Sequence, residues 1–343
     1  MHRTPVVLGR RVELDGGDTD EYLAALVDGK PFEDSPLTIV DRLLAGVEDA
    51  TLVDVGANLG VHAVALALAH PACHVVAIEA NPKVLPWLRT NVTRNGCENV
   101  EIVGCAVSDA EGEIEFFTNV NFPAGSGMLN GSADELAAVI KNHPSGAELV
   151  EKVGMRRLDD ILDPNRQENV RVLKIDVEGH DIRVLRGAPN LLAAHPVVVM
   201  EFATLAITLH AGMLPSDVIR EVRRQFEYVY VIGAHGHLRR IESETDVVDF
   251  LSENAVRKPV QDLLCCSAES PLLGRVQKLA ASGSEKPTAP SATASTVEPM
   301  GENILALRAE LTAVQEELVR VRQSVSWRVT RPLRAVRRRI GQH

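Results

Sequence analysis

The chain has 343 residues, of which 45% are hydrophobic, 24% are charged and only 3% are aromatic. This composition is that of a globular protein with an aliphatic core, and it excludes wholesale disorder, collagen-like repeats and a disulfide scaffold. The formal net charge is −11, so the chain would repel phosphates and we expect no nucleic-acid partner.

The first segment, residues 1–50, is expected to form an N-terminal cap. Its first 30 residues hold no apolar block of signal-peptide length, and no apolar run of the chain approaches the ~20 residues of a membrane helix. The five cysteines show no metal-binding spacing. These features together predict a reduced, cytoplasmic protein.

From Thr51 onward, short β-rich runs alternate with helical stretches. Buried strands are predicted at 51–56, 74–80, 100–107, 170–177 and 196–202, and helices at 58–69, 82–95, 181–194 and 216–226. An edge strand is predicted at 112–118, a loop of lid length at 121–132, and an antiparallel hairpin from strands at 227–232 and 238–243. Strand–helix alternation with strands apolar on both faces predicts a Rossmann-like, doubly wound and mostly parallel sheet.

A glycine turn, Gly56 to Gly60, follows the first buried strand, at the end where such sheets bind ligands. A dinucleotide fingerprint needs two further glycines after Gly56, and those positions hold Asn58 and Val61. Glu79 ends the next strand, where an acid accepts hydrogen bonds from both hydroxyls of a ribose. The turn therefore predicts a nucleoside ligand without a pyrophosphate, such as S-adenosylmethionine. The alternative is a structural tight turn with a solvated Glu79.

Four blocks of sequence resemble the FkbM-type methyltransferases, a branch of the class I S-adenosylmethionine-dependent enzymes. In order, the blocks are VDVGANLGVHAV, IEANP, AVSDAEGEIEF and LKIDVEGHDIRVLRGA. The resemblance covers about 51–243 and implies a seven-stranded sheet that ends in the antiparallel hairpin. It also implies that Asp54, Gly56, Asn58 and Gly60 surround the methionine and ribose of the cofactor, with Glu79 on the ribose hydroxyls.

The same resemblance places Cys105 and Ala106, at the end of the third strand, beside the adenine. Many relatives outside the family have an aspartate at the Cys105 position. Its absence here implies that backbone and apolar contacts hold the adenine. The resemblance further implies methyl transfer to oxygen, often on a sugar or polyketide hydroxyl.

Asp176, Glu178 and His180 alternate at the carboxyl end of the fourth strand, beside the expected cofactor. Methyl transfer to a hydroxyl needs a base that takes its proton, so Asp176 is the first candidate and His180, with its near-neutral ordinary pKa, the second. Glu201, at the end of the fifth strand, is placed to face the same site. Alternatively, Asp176 and Glu178 have a structural role: they accept hydrogen bonds from backbone N–H groups of the turn and cap the next helix. These are metal-ligand residue types, but no other ligand cluster supports them, so we expect no metal.

We therefore expect an S-adenosylmethionine-dependent O-methyltransferase that acts on a sugar hydroxyl of a cell-surface glycan. One alternative acceptor is a polyketide or another secondary metabolite. An NAD-linked oxidoreductase is a second alternative, which the glycine spacing disfavours. A third is a non-catalytic scaffold that recruits partners through a coiled coil, which the presence of Gly56, Gly60 and Glu79 disfavours.

The C-terminal part predicts a separate module. Fourteen of the 20 residues at 281–300 are Ala, Ser, Thr or Pro, which predicts a disordered linker between a methyltransferase domain at 51–280 and a helix at 301–343. Apolar residues from Ile304 to Val325 recur in steps of three and four, which predicts a coiled coil and a homo-oligomer, or an amphipathic helix docked on the body.

The tail beyond these heptads is strongly basic, with eight arginines and no acid between Arg320 and His343. The run 324–340 resembles tails of bacterial enzymes of cell-surface polysaccharide assembly. A basic amphipathic helix of this kind lies on an anionic membrane, so we expect peripheral contact with the inner face of the membrane. The alternative is a solvated, frayed tail.

Overall fold

The computed structural model describes residues 1–18, 20–32, 34–119, 127–128, 148–257 and 260–282. The predicted linker from residue 283 onward, the heptad helix, the basic tail and most of the predicted lid loop lie outside these described residues. Within the described ranges, no helix combines the length and the apolar character needed to cross a membrane.

The N-terminal segment consists of short elements that share a hydrophobic cluster with the central sheet. In chain order they are β1 (His2–Arg3), β2 (Val6–Val7), β3 (Arg10–Arg11), β4 (Leu14–Asp15), α1 (Glu21–Ala25), β5 (Pro31–Phe32) and α2 (Ser35–Leu44). Asp34 caps α2, because its side chain accepts a hydrogen bond from the backbone N–H of Leu37 at 2.7 Å. The cap places Asp34 beside the carboxyl ends of the central strands.

The remaining elements follow the predicted alternation of strand and helix. The strands are β6 (Thr51–Val55), β7 (His74–Glu79), β8 (Val100–Gly104), β9 (Ala106–Val107), β10 (Gly112–Asn119), β11 (Gly127–Met128), β12 (Glu148–Arg156), β13 (Val170–Ile175), β14 (Val197–Ala203), β15 (Tyr228–Ile232), β16 (Leu238–Arg240) and β17 (Val260–Cys266). The helices are α3 (Val61–Ala69), α4 (Leu85–Arg94), α5 (Pro164–Gln167), α6 (Asp181–Arg186), α7 (Pro189–Leu192), α8 (Thr204–Leu209), α9 (Pro215–Gln225), α10 (Glu244–Val256) and α11 (Leu273–Ser282).

The central sheet confirms the predicted fold class. Its strand order is β16-β15-β17-β14-β13-β6-β7-β8, with parallel pairing from β14 to β8 and antiparallel pairing among the other strands. Alternate strand residues enter two separate hydrophobic clusters, one on each face. The sheet is therefore covered on both sides, as strands that are apolar on both faces require.

The sheet has eight strands where seven were expected, because the sequence pattern did not reveal β17. This strand lies between β14 and β15 and pairs antiparallel with both. Its first residues include the polar Gln261 and Asp262, so its apolar run is too short to stand out as a strand. The predicted hairpin forms from β15 and β16 at the end of the sheet, as expected, with β17 between it and β14.

Three other predicted elements differ in detail. The run 112–118 joins a second sheet of order β11-β10-β12-β9 rather than the edge of the main sheet. The predicted helix 181–194 is divided into α6 and α7, because Pro189 cannot continue the ladder of helix hydrogen bonds and starts a new helix instead. Helix α3 begins at Val61 rather than at residue 58, because Asn58 and Gly60 have the positive φ angles of 49° and 86°.

Candidate functional site

A cavity of about 440 Å³ lies at the carboxyl ends of β6, β7, β13 and β14. This is the edge of the sheet where doubly wound folds bind ligands, and the volume lies in the range typical of cofactor sites. Along the sheet edge, the lining runs from carboxylates on β14 and after β13 to Glu79 at the end of β7 and apolar side chains after β8.

The glycine turn after β6 lines the cavity and contacts the end of β13. Gly56 has a φ of 82°, and a Cβ atom at this position would lie 1.9 Å from the carbonyl oxygen of Asp176. Only glycine fits a backbone approach of this kind. The glycine turn, which is expected to surround the cofactor, therefore packs directly against the backbone of Asp176, the residue expected to be the base.

Glu79 is buried at the end of β7, where it accepts two short hydrogen bonds from backbone N–H groups. Its donors are Asn58 at 2.7 Å and Asn81 at 2.6 Å. Burial raises the pKa of Glu79, and the two hydrogen bonds oppose that rise. Nearby, the side-chain atoms Asn58 Oδ1 and Asn81 Nδ2 are buried without hydrogen-bond partners. Orphaned polar atoms beside a carboxylate fit a ligand rich in hydroxyls, such as a nucleoside.

The apolar end of the cavity follows Glu79 along the sheet edge. Cys105 and Ala106, both buried, join β8 to β9, and they line the cavity together with Ile78, Val107 and Phe116. The wall offers apolar side chains and backbone groups to a flat aromatic base.

Five of the seven residues expected around the cofactor line the cavity, and two do not. The five are Gly56, Asn58, Glu79, Cys105 and Ala106. Asp54 lies within β6, two residues before the turn, and is 1% exposed. Gly60 caps α3 behind the turn. The structure thus separates residues that face the cavity from residues that support the turn.

Lys174 is a site residue that the sequence analysis missed. Its Nζ atom lies 3.1 Å from Asp54 Oδ1 and 3.3 Å from Asp176 Oδ2, and donates to the Gly56 carbonyl oxygen at 3.4 Å. Burial alone would lower the pKa of Lys174, but the two carboxylates outweigh burial and raise it. The sequence does carry a signal, since a lysine inside the buried strand VRVLKI needs a partner.

A group of carboxylates lines the opposite end of the cavity. Asp176, Glu178 and Glu201 each offer a carboxylate oxygen, and these three oxygens lie within 4.8 Å of one another. Asp262 on β17 lies directly opposite Glu201 in the strand register and also lines the cavity. Burial, together with the charge of Asp176, raises the pKa of Glu178 to about 8 and that of Asp262 to about 7.

The two expected bases occupy different surroundings. Asp176 lines the cavity with its side chain 42% exposed. His180 is 1% exposed, precedes α6 as its N-cap residue, and is not part of the cavity wall. Burial, reinforced by Arg183, lowers the pKa of His180 to about 3. Because β13 ends at Ile175, the chain has already turned away from the cavity before it reaches His180.

The N-terminal segment contributes a second pair that the sequence analysis missed. His62, in the first turn of α3, places its Nε2 atom 3.5 Å from Asp34 Oδ1, and both residues line the cavity beside Tyr22. Burial alone would lower the pKa of His62, but Asp34 raises it. The sequence gives no sign of this pair, because it depends on how the N-terminal segment packs over the strand ends.

Three curated proteins are similar to parts of this chain. Hexuronic acid methyltransferase AglP from Haloferax volcanii is 32% identical over 173 residues, which are 50% of this chain and 61% of that protein. The 31-O-demethyl-FK506 methyltransferase FkbM from Streptomyces tacrolimicus is 30% identical over 154 residues, or 40% of this chain and 58% of that protein. Methyltransferase 1 from Beauveria bassiana is 26% identical over 147 residues, 41% and 59% respectively. The chain thus matches less than two thirds of each relative.

The family model of the methyltransferase FkbM domain matches residues 54–240, more than half of the chain. This range contains the glycine turn, Glu79, Lys174 and the carboxylates Asp176, Glu178 and Glu201. Proteins of this family use S-adenosylmethionine as the methyl donor. The chain belongs to the FkbM methyltransferase family.

Proposed function

We propose that this protein is an S-adenosylmethionine-dependent O-methyltransferase whose acceptor is a hydroxyl of a glycan sugar. The observation that carries the proposal is one cavity that reaches from Glu79, at its nucleoside end, to the half-exposed Asp176 carboxylate. The sugar acceptor is supported by the similarity to a hexuronic acid methyltransferase.

In this mechanism, the bound cofactor supplies a methyl group on a sulfonium, and the chain's residues hold and orient the reactants. Glu79 would accept hydrogen bonds from the ribose hydroxyls, and the wall formed by Cys105, Ala106 and Phe116 would contact the adenine. Asp176 takes the proton of the acceptor hydroxyl. Lys174 binds Asp176 through Oδ2, which leaves Oδ1 outside that ion pair and holds the carboxylate in place.

A second candidate acceptor is the hydroxyl of a large apolar metabolite. One relative is named for such a substrate, since it is called a 31-O-demethyl-FK506 methyltransferase. The acceptor end of this cavity favours the sugar, because Asp176, Glu178 and Glu201 would be desolvated by an apolar molecule without gaining hydrogen bonds.

The decisive experiment incubates the full chain with methyl-labelled S-adenosylmethionine and three kinds of acceptor. These are oligosaccharides that contain hexuronic acid, neutral oligosaccharides, and macrolides with free hydroxyls. We expect label in a methyl ether of a sugar and none in the Asp176→Asn variant. Label that enters only the macrolides would contradict the sugar acceptor, and failure to bind S-adenosylmethionine in a calorimetric titration would contradict the enzyme class.

We also propose, from sequence alone, that the basic tail holds the enzyme at an anionic membrane where lipid-linked glycans are built. Each arginine near such a surface contributes about 1 kcal/mol. The test compares sedimentation of the full chain with a full-length variant in which the eight arginines from Arg320 onward are glutamine. Anionic vesicles should retain only the unaltered chain, and equal sedimentation of the two would refute the membrane contact.

A further inference from the structure

We propose that Asp176, Glu178 and Glu201 bind one divalent cation at the acceptor end of the cavity. The three residues come from the carboxyl ends of two neighbouring parallel strands, β13 and β14. Carboxylate oxygens are the ligands that Mg²⁺, Mn²⁺ and Ca²⁺ prefer. The sequence run from Asp176 to His180 offers only ligands that are close together in the chain, and Glu201 supplies a ligand from outside that run.

The spacing of the three oxygens suits a single ion. Because all three lie within 4.8 Å of one another, one central point is close to each of them. Bond lengths from a cation to oxygen are ~2.1 Å for Mg²⁺ and ~2.3–2.6 Å for Ca²⁺. Three protein ligands would leave coordination positions that face the cavity, where water or an acceptor oxygen can bind.

Unsatisfied buried oxygens point independently to a missing ligand. Glu201 Oε2 is buried and has no hydrogen-bond partner. Asp181, whose charge acts on both Glu178 and Glu201, is 3% exposed and leaves Oδ1 without a partner. A buried carboxylate in this state is costly unless it is protonated or meets a cation. Glu201 also lies directly opposite Asp262 in the sheet, and like charges in that position are destabilising.

The side chains around the cavity do not supply the missing positive charge. Among the described residues that line it, the basic ones are Lys174 and His62. Lys174 lies between Asp54 and Asp176, and His62 pairs with Asp34. The carboxylates of Glu178, Glu201 and Asp262 therefore line the cavity without a basic partner among the described lining residues.

A cation here would change which acceptors the site accepts. It would bind the carboxylate of a uronic acid, which bare Glu178 and Glu201 would repel, and it would make a coordinated hydroxyl easier to deprotonate. This consequence rests on the proposed function, whereas the binding of the ion itself does not.

The test uses the full chain, freed of metal with a chelator, and the metal alone as the probe. Mn²⁺ is titrated at pH 8 and followed by electron paramagnetic resonance, with Mg²⁺ as a competitor. We expect one Mn²⁺ per chain, with affinity at least tenfold weaker in Glu201→Gln and in Asp176→Asn. Glu98→Gln, which alters an exposed glutamate in the turn before β8, should bind Mn²⁺ as the unaltered chain does.

Calorimetric titration of S-adenosylmethionine into the same variants reports whether each one is folded. Absence of Mn²⁺ binding by the unaltered chain would overturn the proposal. So would unchanged Mn²⁺ affinity in both Glu201→Gln and Asp176→Asn. A chain that binds Mn²⁺ as expected but not S-adenosylmethionine would retain the cation site and refute the proposed function instead.

Discussion

The two ends of the cavity satisfy their carboxylates in opposite ways. At the nucleoside end, Glu79 accepts two backbone hydrogen bonds, and the buried Asp54 has Lys174 as its ion-pair partner. At the acceptor end, Glu178, Glu201 and Asp262 cluster with raised pKa values. The comparison teaches that backbone N–H groups and a lysine partner the carboxylates at the nucleoside end, whereas Glu178, Glu201 and Asp262 have no basic partner among the described residues that line the cavity and need protons or a bound cation.

The largest effect should come from removing the base at the acceptor end. Asp176→Asn keeps the shape of the side chain but removes its ability to take a proton. A general base contributes ~10²–10⁴-fold to rate, so turnover of the acceptor should fall by about that factor. The affinity for S-adenosylmethionine, measured by calorimetry, should change less than severalfold. If turnover falls by less than severalfold, Asp176 has a structural role and Glu201 becomes the candidate base.

The next largest effect should be a loss of stability on replacing Lys174, which pairs with Asp54 and with Asp176. Lys174→Met leaves Asp54, 1% exposed, as a buried charge without a partner. Breaking a buried ion pair in this way costs about 3–5 kcal/mol, so the free energy of unfolding in urea should fall by that amount. The double variant Lys174→Met with Asp54→Asn should recover much of the loss. A loss below about 1 kcal/mol in the single variant would mean that water reaches Asp54.

The nucleoside end was largely predictable because its signals are local in sequence. A buried strand, a turn from Gly56 to Gly60 and an acid that ends the next strand lie within 30 consecutive residues. Parallel strands bring the turns at their carboxyl ends to one edge of the sheet, and this does not depend on how the other segments of the chain pack. Two predicted residues do not line the cavity. Gly60 caps α3, and Asp54 pairs with Lys174, which lies far along the chain on the neighbouring strand β13.

The acceptor end was predictable only in part because it is assembled from distant segments. Asp176 and Glu201 could be placed at strand ends, but their proximity follows from the pairing of β13 with β14. Asp262 belongs to β17, which the sequence pattern did not reveal because its first residues are polar. Asp34 belongs to the N-terminal segment, which is distant in sequence. No local sequence pattern predicts that these carboxylates meet, so their crowding and the raised pKa values of Glu201 and Asp262 emerge only in the folded protein.

At the nucleoside end, a smaller effect should follow from Glu79→Ala. Loss of a charged hydrogen-bond acceptor costs about 1.5–3 kcal/mol, which corresponds to roughly a 10–150-fold weaker affinity for S-adenosylmethionine. Calorimetric titration measures the change, with Glu98→Gln as the control for a glutamate outside the cavity. Unchanged affinity would remove Glu79 from the ribose site. A matching loss in Glu98→Gln would mean that the effect is not specific to the cavity.

The smallest expected effect distinguishes the two ends by pH. In the metal-free protein, burial and neighbouring charge raise the pKa of Glu178 from 4.5 to about 8. The folded state then holds more protons than the unfolded state between these values, so stability falls as the pH rises from about 4.5 to 8. Burial, followed by the charges of Asp176 and Glu178, raises the pKa of Glu201 as well, so Glu201→Gln removes a second carboxyl group that lowers stability as the pH rises. It should raise the melting temperature at pH 8 by about 2–4 °C, for a gain near 1 kcal/mol, and leave it unchanged at pH 5.

The matched control for this last prediction is Asp54→Asn, which removes a carboxylate that already has a cationic partner. It should lower the melting temperature at both pH values, because Lys174 then keeps only Asp176 as its partner. Mg²⁺ added at pH 8 should stabilise the unaltered chain more than Glu201→Gln, since a ligand that binds only the folded state raises its stability. If Glu201→Gln is destabilising at pH 8 without metal, the acceptor-end carboxylates do not repel one another, and the contrast between the two ends fails.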